Sequence, residues 1–139
     1  MEKNFISKIK KEIETDKRTY LENCKKYRGE YIEAAIILFP EYYNNFNDDY
    51  NLYIKKAIEL KENKQYQDER KLLEKAISNK TSIPYAYERL ARILIKEAEP
   101  VKALDICNKW FNSTFWKIPN MATTSLKILD LKEKLESKQ

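Results

Sequence analysis

Apolar residues along this chain recur at three- and four-residue intervals, the spacing that lines one face of an α-helix. Ile6, Ile9, Ile13, Leu21, Cys24 and Tyr27 form the first such stripe and predict a long amphipathic helix over 3–27. Later stripes predict helices over 31–45, 50–63, 66–79, 84–97, 100–112 and 119–137, about seven in all. Pro84, Pro100 and Pro119 each stand where one of these helices starts, a place where the missing amide hydrogen is not needed. Pro40 falls inside the second and is expected to end or kink it.

The stripes also repeat at longer range. Tyr53, Ala57 and Leu60 fall 34 residues before Tyr87, Ala91 and Leu94. Leu73, Ala76 and Ile77 fall 34 before Cys107, Trp110 and Phe111, so the offset spans two helices and the turn between them. The run Tyr87-x2-Leu90-Ala91-x2-Leu94, followed by Ala103-x3-Cys107, resembles the tetratricopeptide repeat. In that pattern a small residue on the first helix lets its partner approach closely, and bulky residues fill the space around it. The earlier copy departs from it, with Lys56 in place of the Leu and Glu69 in place of the small residue of the second helix. Lys64 and Ala98 stand where the family usually has a turn glycine. Gly29-x-Tyr31-x-x-Ala34 resembles the turn and second-helix start of a preceding repeat, and Ile118-Pro119 echoes Ile83-Pro84.

The resemblance implies an all-α fold of antiparallel helix-pair repeats, a tetratricopeptide-like α-solenoid in a single domain over 1–139. Residues 1–49 would form a degenerate N-terminal helix pair, 50–115 two clearer repeats, and 116–139 a C-terminal capping helix with a polar outer face.

Composition agrees. A chain of 139 residues with one Gly and four Pro has little material for the tight turns of a sheet. With 42% hydrophobic and 12% aromatic residues it can fill a core, which argues against disorder. The N-terminus has no continuous apolar stretch of the signal-peptide kind. The longest apolar run, Ala34 to Phe39, is far shorter than the roughly 20 residues of a membrane span. Cys24 and Cys107 are single and distant, as reduced, buried thiols of a cytoplasmic protein would be. The matches to the glycosylation pattern at Asn79 and Asn112 are then chance. The Lys-, Asn- and Ile-rich composition points to an AT-rich coding genome, bacterial or phage.

Candidate chemistry is sparse. Without histidine the commonest general base and metal ligand are both missing, and one Gly cannot build a phosphate-binding loop. Asp48 and Asp49, beside Asn44, Asn45 and Asn47, lack the spacing of a calcium loop and read as a solvated connection. The chain is expected not to be an enzyme and to need no cofactor or metal.

What remains is surface. The resemblance implies that the first helices of successive repeats line a concave groove that holds a partner's peptide or helix. Carried onto this chain, that groove would present Lys55, Ile58, Lys61, Tyr85, Arg89, Arg92 and Lys96, with Asn51, Ile54 and Glu88 alongside. Arg89, Arg92 and Lys96 are spaced to share one helix face and would suit an acidic peptide or a C-terminal carboxylate. Ile54 and Ile58 occupy places where the chaperone-binding subclass expects Lys and Asn, so that subclass is not supported.

The expected function is a protein–protein interaction module of the adaptor, co-chaperone or inhibitor type. A net charge of +5 leaves a nucleic-acid-associated module as an alternative, although the charges alternate in sign rather than forming a stripe. A homodimeric structural subunit is a second alternative, with Phe115 and Trp116 as either an exposed sticky edge or a plug beneath the last helix. Tyr42, Tyr43, Phe46, Tyr50 and Tyr53 crowd one segment and are expected to pack between helices, with a partner-binding hot spot as the alternative.

Overall fold

A computed structural model describes residues 2–44 and 49–138. Asn45, Phe46, Asn47 and Asp48, expected from the sequence to belong to a solvated connection, lie outside the described residues. Among these residues the regular elements are nine α-helices: α1 (Lys3–Thr15), α2 (Lys17–Lys26), α3 (Arg28–Leu38), α4 (Pro40–Asn44), α5 (Asp49–Glu62), α6 (Tyr66–Ser78), α7 (Pro84–Lys96), α8 (Pro100–Asn112) and α9 (Ala122–Ser137). Two single 3-10 turns, Phe115–Lys117 and Pro119–Met121, lead into α9. No described helix is long and apolar enough to cross a membrane.

The single helix expected over 3–27 is two helices and a boundary. Asp16 leaves helical geometry at φ −150° and ψ 84° and caps α2, its carboxylate accepting from the Thr19 amide at 3.1 Å and the Thr19 hydroxyl at 2.7 Å. An Asp in that place satisfies amides that a new helix would leave open, so the chain restarts there. A further break at Tyr27 ends α2. Gly29 then sits inside α3 without a positive φ, and so is not the turn residue the sequence pattern implied. The helix expected over 31–45 is likewise divided, at Phe39 just before Pro40. Glu12 joins the first three helices by accepting from the Tyr31 hydroxyl at 2.7 Å and the Asn23 amide at 3.3 Å.

From α5 onward the repeat is visible in the backbone. α5 packs on α6 and α7 on α8, each pair joined by three residues, 63–65 and 97–99. Glu62 and Lys96, Tyr66 and Pro100, and Ser78 and Asn112 bound corresponding helices and are each 34 residues apart. Both connections turn through a left-handed residue, Lys64 at φ 58° and Ala98 at φ 59°. After each, the amides return to the last helical turn: Lys64 to the Lys61 carbonyl and Gln65 to Leu60, then Ala98 to Ile95 and Glu99 to Leu94. This is the Schellman arrangement, in which glycine is usual because it has no Cβ to crowd. Here the turn is made without glycine. Lys80, at φ 57°, ends α6 in the same way.

The small residues sit where close approach requires them. Ala57, Ala91 and Ala103 are wholly buried. Around them lie Leu73, Leu90, Cys107 and Trp110, whose indole is 5.0 Å from the Tyr87 ring. Trp110 donates its indole N–H to the buried Ser125 hydroxyl at 3.0 Å. Trp116 is buried and half-buried Phe115 stacks on Trp110, so both act as a plug beneath α9 rather than as an exposed edge. Cys24 and Cys107 are free and buried, and burial pushes their thiols up to about 12 and about 11.

The last helix has more than one neighbour. α9 packs on α7 and α8 and, on its other side, on α2. It buries Ala122, Ser125, Ile128, Leu129, Leu131 and Leu135, an apolar girth too wide for one neighbour to cover. Arg18 of α2 reaches Asp130 at 3.0 Å and also pairs with Glu133, and the Tyr20 hydroxyl donates to the Lys117 carbonyl at 2.5 Å. The N-terminal helices, expected as a degenerate pair leading into α5, thus dock against the last helix.

Candidate interaction surfaces

The residues expected to form the groove divide between the two hairpins. Tyr85, Arg89, Arg92 and Lys96 form a stripe on α7, while Lys55, Ile58 and Lys61 lie exposed on α5. Arg89 does not offer its guanidinium outward. It donates through Nε at 2.7 Å and a terminal nitrogen at 3.0 Å to both carboxylate oxygens of Glu69. Glu69 is fully buried, and Arg89 keeps only 20% of its side-chain surface. This bidentate bond, with burial opposing it, holds Arg89 above the usual arginine range. Tyr85 stands beside the pair, and burial raises its phenol.

Arg92 pairs with Glu88 one turn earlier at 2.9 Å, an exposed contact that contributes little. Lys55, Lys61 and Lys96 are exposed, as are the apolar Ile58 and Ile95. Of the expected set, Arg89 is therefore committed inside the fold and the other six residues reach solvent wholly or in part.

A second surface is visible only in three dimensions. α6 and α8 run side by side over α7 without closing on each other, and the gap is a channel made of two hollows, about 430 Å³ and about 680 Å³. Ile77, Ser78 and Lys109 line both hollows and make them continuous. Leu90, Leu94 and Tyr87 of α7 form the floor, and Ile77 and Ile106 face in from the two walls.

The two ends differ. At the start of the helices Arg70 is tied to Glu74 at 2.7 Å, to Glu99 at 3.1 Å and to Glu97, while Lys102 holds Glu99 at 3.0 Å. At the far end the rim is Lys80, Asn112, Ser113 and Thr114 around Phe115. No sequence pattern pointed to this channel, because the resemblance directs attention to the first helices and the channel lies between the second ones. The 34-residue offset did contain it: it sets α6 beside α8 in register.

Further hollows lie between α5 and α6, around Leu60 and Leu72, and between α2 and α9, around Leu126. Among the described residues no three of His, Cys, Asp and Glu gather as a metal-holding group. No family model, no curated protein and no solved structure matches this chain.

Proposed function

We propose that this protein is a binding module of the tetratricopeptide-like helical-repeat type, which holds a segment of another protein in the channel between α6 and α8. The observation that carries the reading is the channel itself: an open trough between α6 and α8, with Ile77, Ile106 and Phe115 along it, a polar rim, and buried Leu90, Leu94 and Tyr87 beneath. Its two hollows fall in the size range of pockets that take a ligand of a few side chains' bulk, roughly 300–1,000 Å³. The repeat reading is supported by the matched hairpins and by the left-handed turns at Lys64 and Ala98. Binding alone, as an adaptor or inhibitor, accounts for the surface, with side chains entering between helices as they do in groove-type recognition.

The first-helix face is a second reading, favoured by exposed Ile58 and Ile95 among Lys55, Lys61, Arg92 and Lys96. One experiment separates the two. A photoreactive residue at position 78, in the channel, should capture the partner, whereas one at position 92 should not. Asn112→Trp should block capture from position 78 while leaving the melting curve unchanged, because Asn112 lines the same hollow and is exposed. Capture from position 92 alone would transfer the site to the first-helix face. Retention of nucleic acid that falls steeply with salt, with no protein captured, would replace the reading altogether.

A further inference from the structure

We propose that the two ends of this molecule fit each other, so that copies of the chain associate head to tail. The outer face of α3 in one copy seats on the open edge of the α5–α6 hairpin in the next. This association makes no use of the channel and goes beyond the proposed binding of another protein.

Contacts between helices run in one order, from α5–α6 through α7–α8 and α9 to α2, and from α2 to α1 and α3. The α5–α6 hairpin and α3 therefore lie at opposite ends of the stack. In a repeat array each hairpin is covered by the one before it. Here the preceding helices dock on α9 instead, and among the described residues α5 and α6 pack closely only on each other and on α7. Their other side stays open as a hollow of about 370 Å³ that holds half-buried Leu60 and Leu72. Lys56, Lys71 and Lys75 line it with a single carboxylate, Asp68, so three cations against one anion leave it basic by two. Lys56 and Lys71 make no ion pair or hydrogen bond among the described residues, and Lys75 leans on the Tyr53 ring at 5.7 Å. The end of α5 and the start of α6 meet beside the hollow, and their opposite partial charges offset. Lys55 and Glu59, further round α5, offset each other as well.

The far end is its complement. α3 is apolar on both sides: Tyr31, Ala34 and Ala35 are buried, while Ile36 and Ile37 stand 48% and 57% exposed. Glu30, Glu33 and Ile37 follow at three- and four-residue steps and share one exposed stripe, with Glu41 just beyond it in α4. None of these carboxylates has an ion pair among the described residues. Two cations belong to the opposite flank by helical phase: Arg28, about 160° round from Glu30, and Lys117, over the Phe39 ring at 5.9 Å. Gly29, with no atom within 4 Å of the place of a Cβ, keeps the start of this face shallow for a neighbouring helix. An apolar ridge edged with acid thus faces one way, and an apolar hollow edged with base faces the other. Such a contact joins unlike surfaces, so it does not close at two copies and continues along a row of them. Few side chains take part, which makes the association weak, with Kd about 0.1 mM.

Sedimentation of the purified chain at up to about 1 mM and low salt tests this. The average mass should climb past that of a dimer as concentration rises, and fall back as salt screens the charges. Ile36→Ser with Ile37→Ser removes the ridge, and Lys56→Glu with Lys71→Glu reverses the edge. All four positions are exposed, so both double variants should melt like the wild type. Each should stay monomeric by itself. Mixed in equal amounts they should form a heterodimer and nothing larger, since one supplies the edge and the other the ridge. Glu30→Gln with Glu33→Gln should weaken the association about ten-fold at low salt. Asn112→Trp, in the channel, should leave it unchanged. A wild type that stays monomeric, a mass that stops at two copies, or a mixture that forms no heterodimer would overturn the inference. Dissociation by Asn112→Trp would seat the second copy in the channel and overturn it as well.

Discussion

Glu69 and Arg89 form a bidentate ion pair that joins α6 to α7, with the carboxylate fully buried and the guanidinium at its edge. Glu69 occupies the place that Ala103 holds in the next hairpin, so the two repeats solve one packing position in opposite ways.

The pair predicts unequal responses to its two deletions. Arg89→Leu strands a buried carboxylate and should cost about 3 kcal/mol in urea unfolding. Glu69→Ala leaves a guanidinium that can still reach water and should cost about half as much. The double variant should recover much of the loss, since an apolar replacement of both partners removes the desolvation penalty with the charge. Equal losses for the single variants would contradict the burial asymmetry.

Ala98 and Lys64 hold left-handed backbone that costs an L-residue roughly 1–2 kcal/mol. Glycine relieves this but adds about 0.5–1 kcal/mol of unfolded-state entropy. Ala98→Gly should therefore stabilise the protein by about 0.5–1 kcal/mol, read as a higher melting temperature. Ala91→Gly, at a buried helical position, should destabilise it and serves as the control.

Ser125→Ala removes one oxygen, yet it leaves the Trp110 indole N–H buried without an acceptor. The expected loss is about 1–3 kcal/mol by urea denaturation, well above the effect of a surface serine. Asp16→Ala, which removes the cap between α1 and α2, should cost about 1 kcal/mol.

Much of this framework is legible in the sequence, and for identifiable reasons. The expected helices 66–79, 84–97 and 100–112 match α6, α7 and α8 to within a residue, because Pro84 and Pro100 mark their starts and the 34-residue offset fixes the phase. The break at Asp16 is hidden because Ile13 and Leu21 stay in helical phase across it. The docking of α2 on α9 leaves no local pattern, since it depends on surfaces more than a hundred residues apart. Arg89 shows its charge in the sequence but not its partner, which is 20 residues away and reads there as a defect in the repeat.

Alkaline pH should weaken the fold. Burial raises the folded-state pKa of the Cys24 thiol to about 12 and of Cys107 to about 11, and it raises the Tyr20 phenol as well. Above about pH 9 the unfolded chain releases thiol protons that the folded chain retains. The stabilisation is complete below that pH and is lost as pH climbs through the folded values. Urea midpoints should fall between pH 8 and pH 10.5, and more gently in Cys24→Ala. Native protein should resist alkylation at both cysteines until it unfolds; rapid labelling at pH 8 would contradict their burial.

The contact between α2 and α9 bears on how the protein is made. Arg18 meets Asp130 across 112 residues, so α2 emerges from the ribosome long before its α9 partner exists. At about 5–20 residues per second that interval is roughly 6–22 s. The hairpins α5–α6 and α7–α8 can fold during it, because their contacts are local. The first three helices can pack on one another in the meantime, but the side of α2 that meets α9 stays uncovered until the last helix is made.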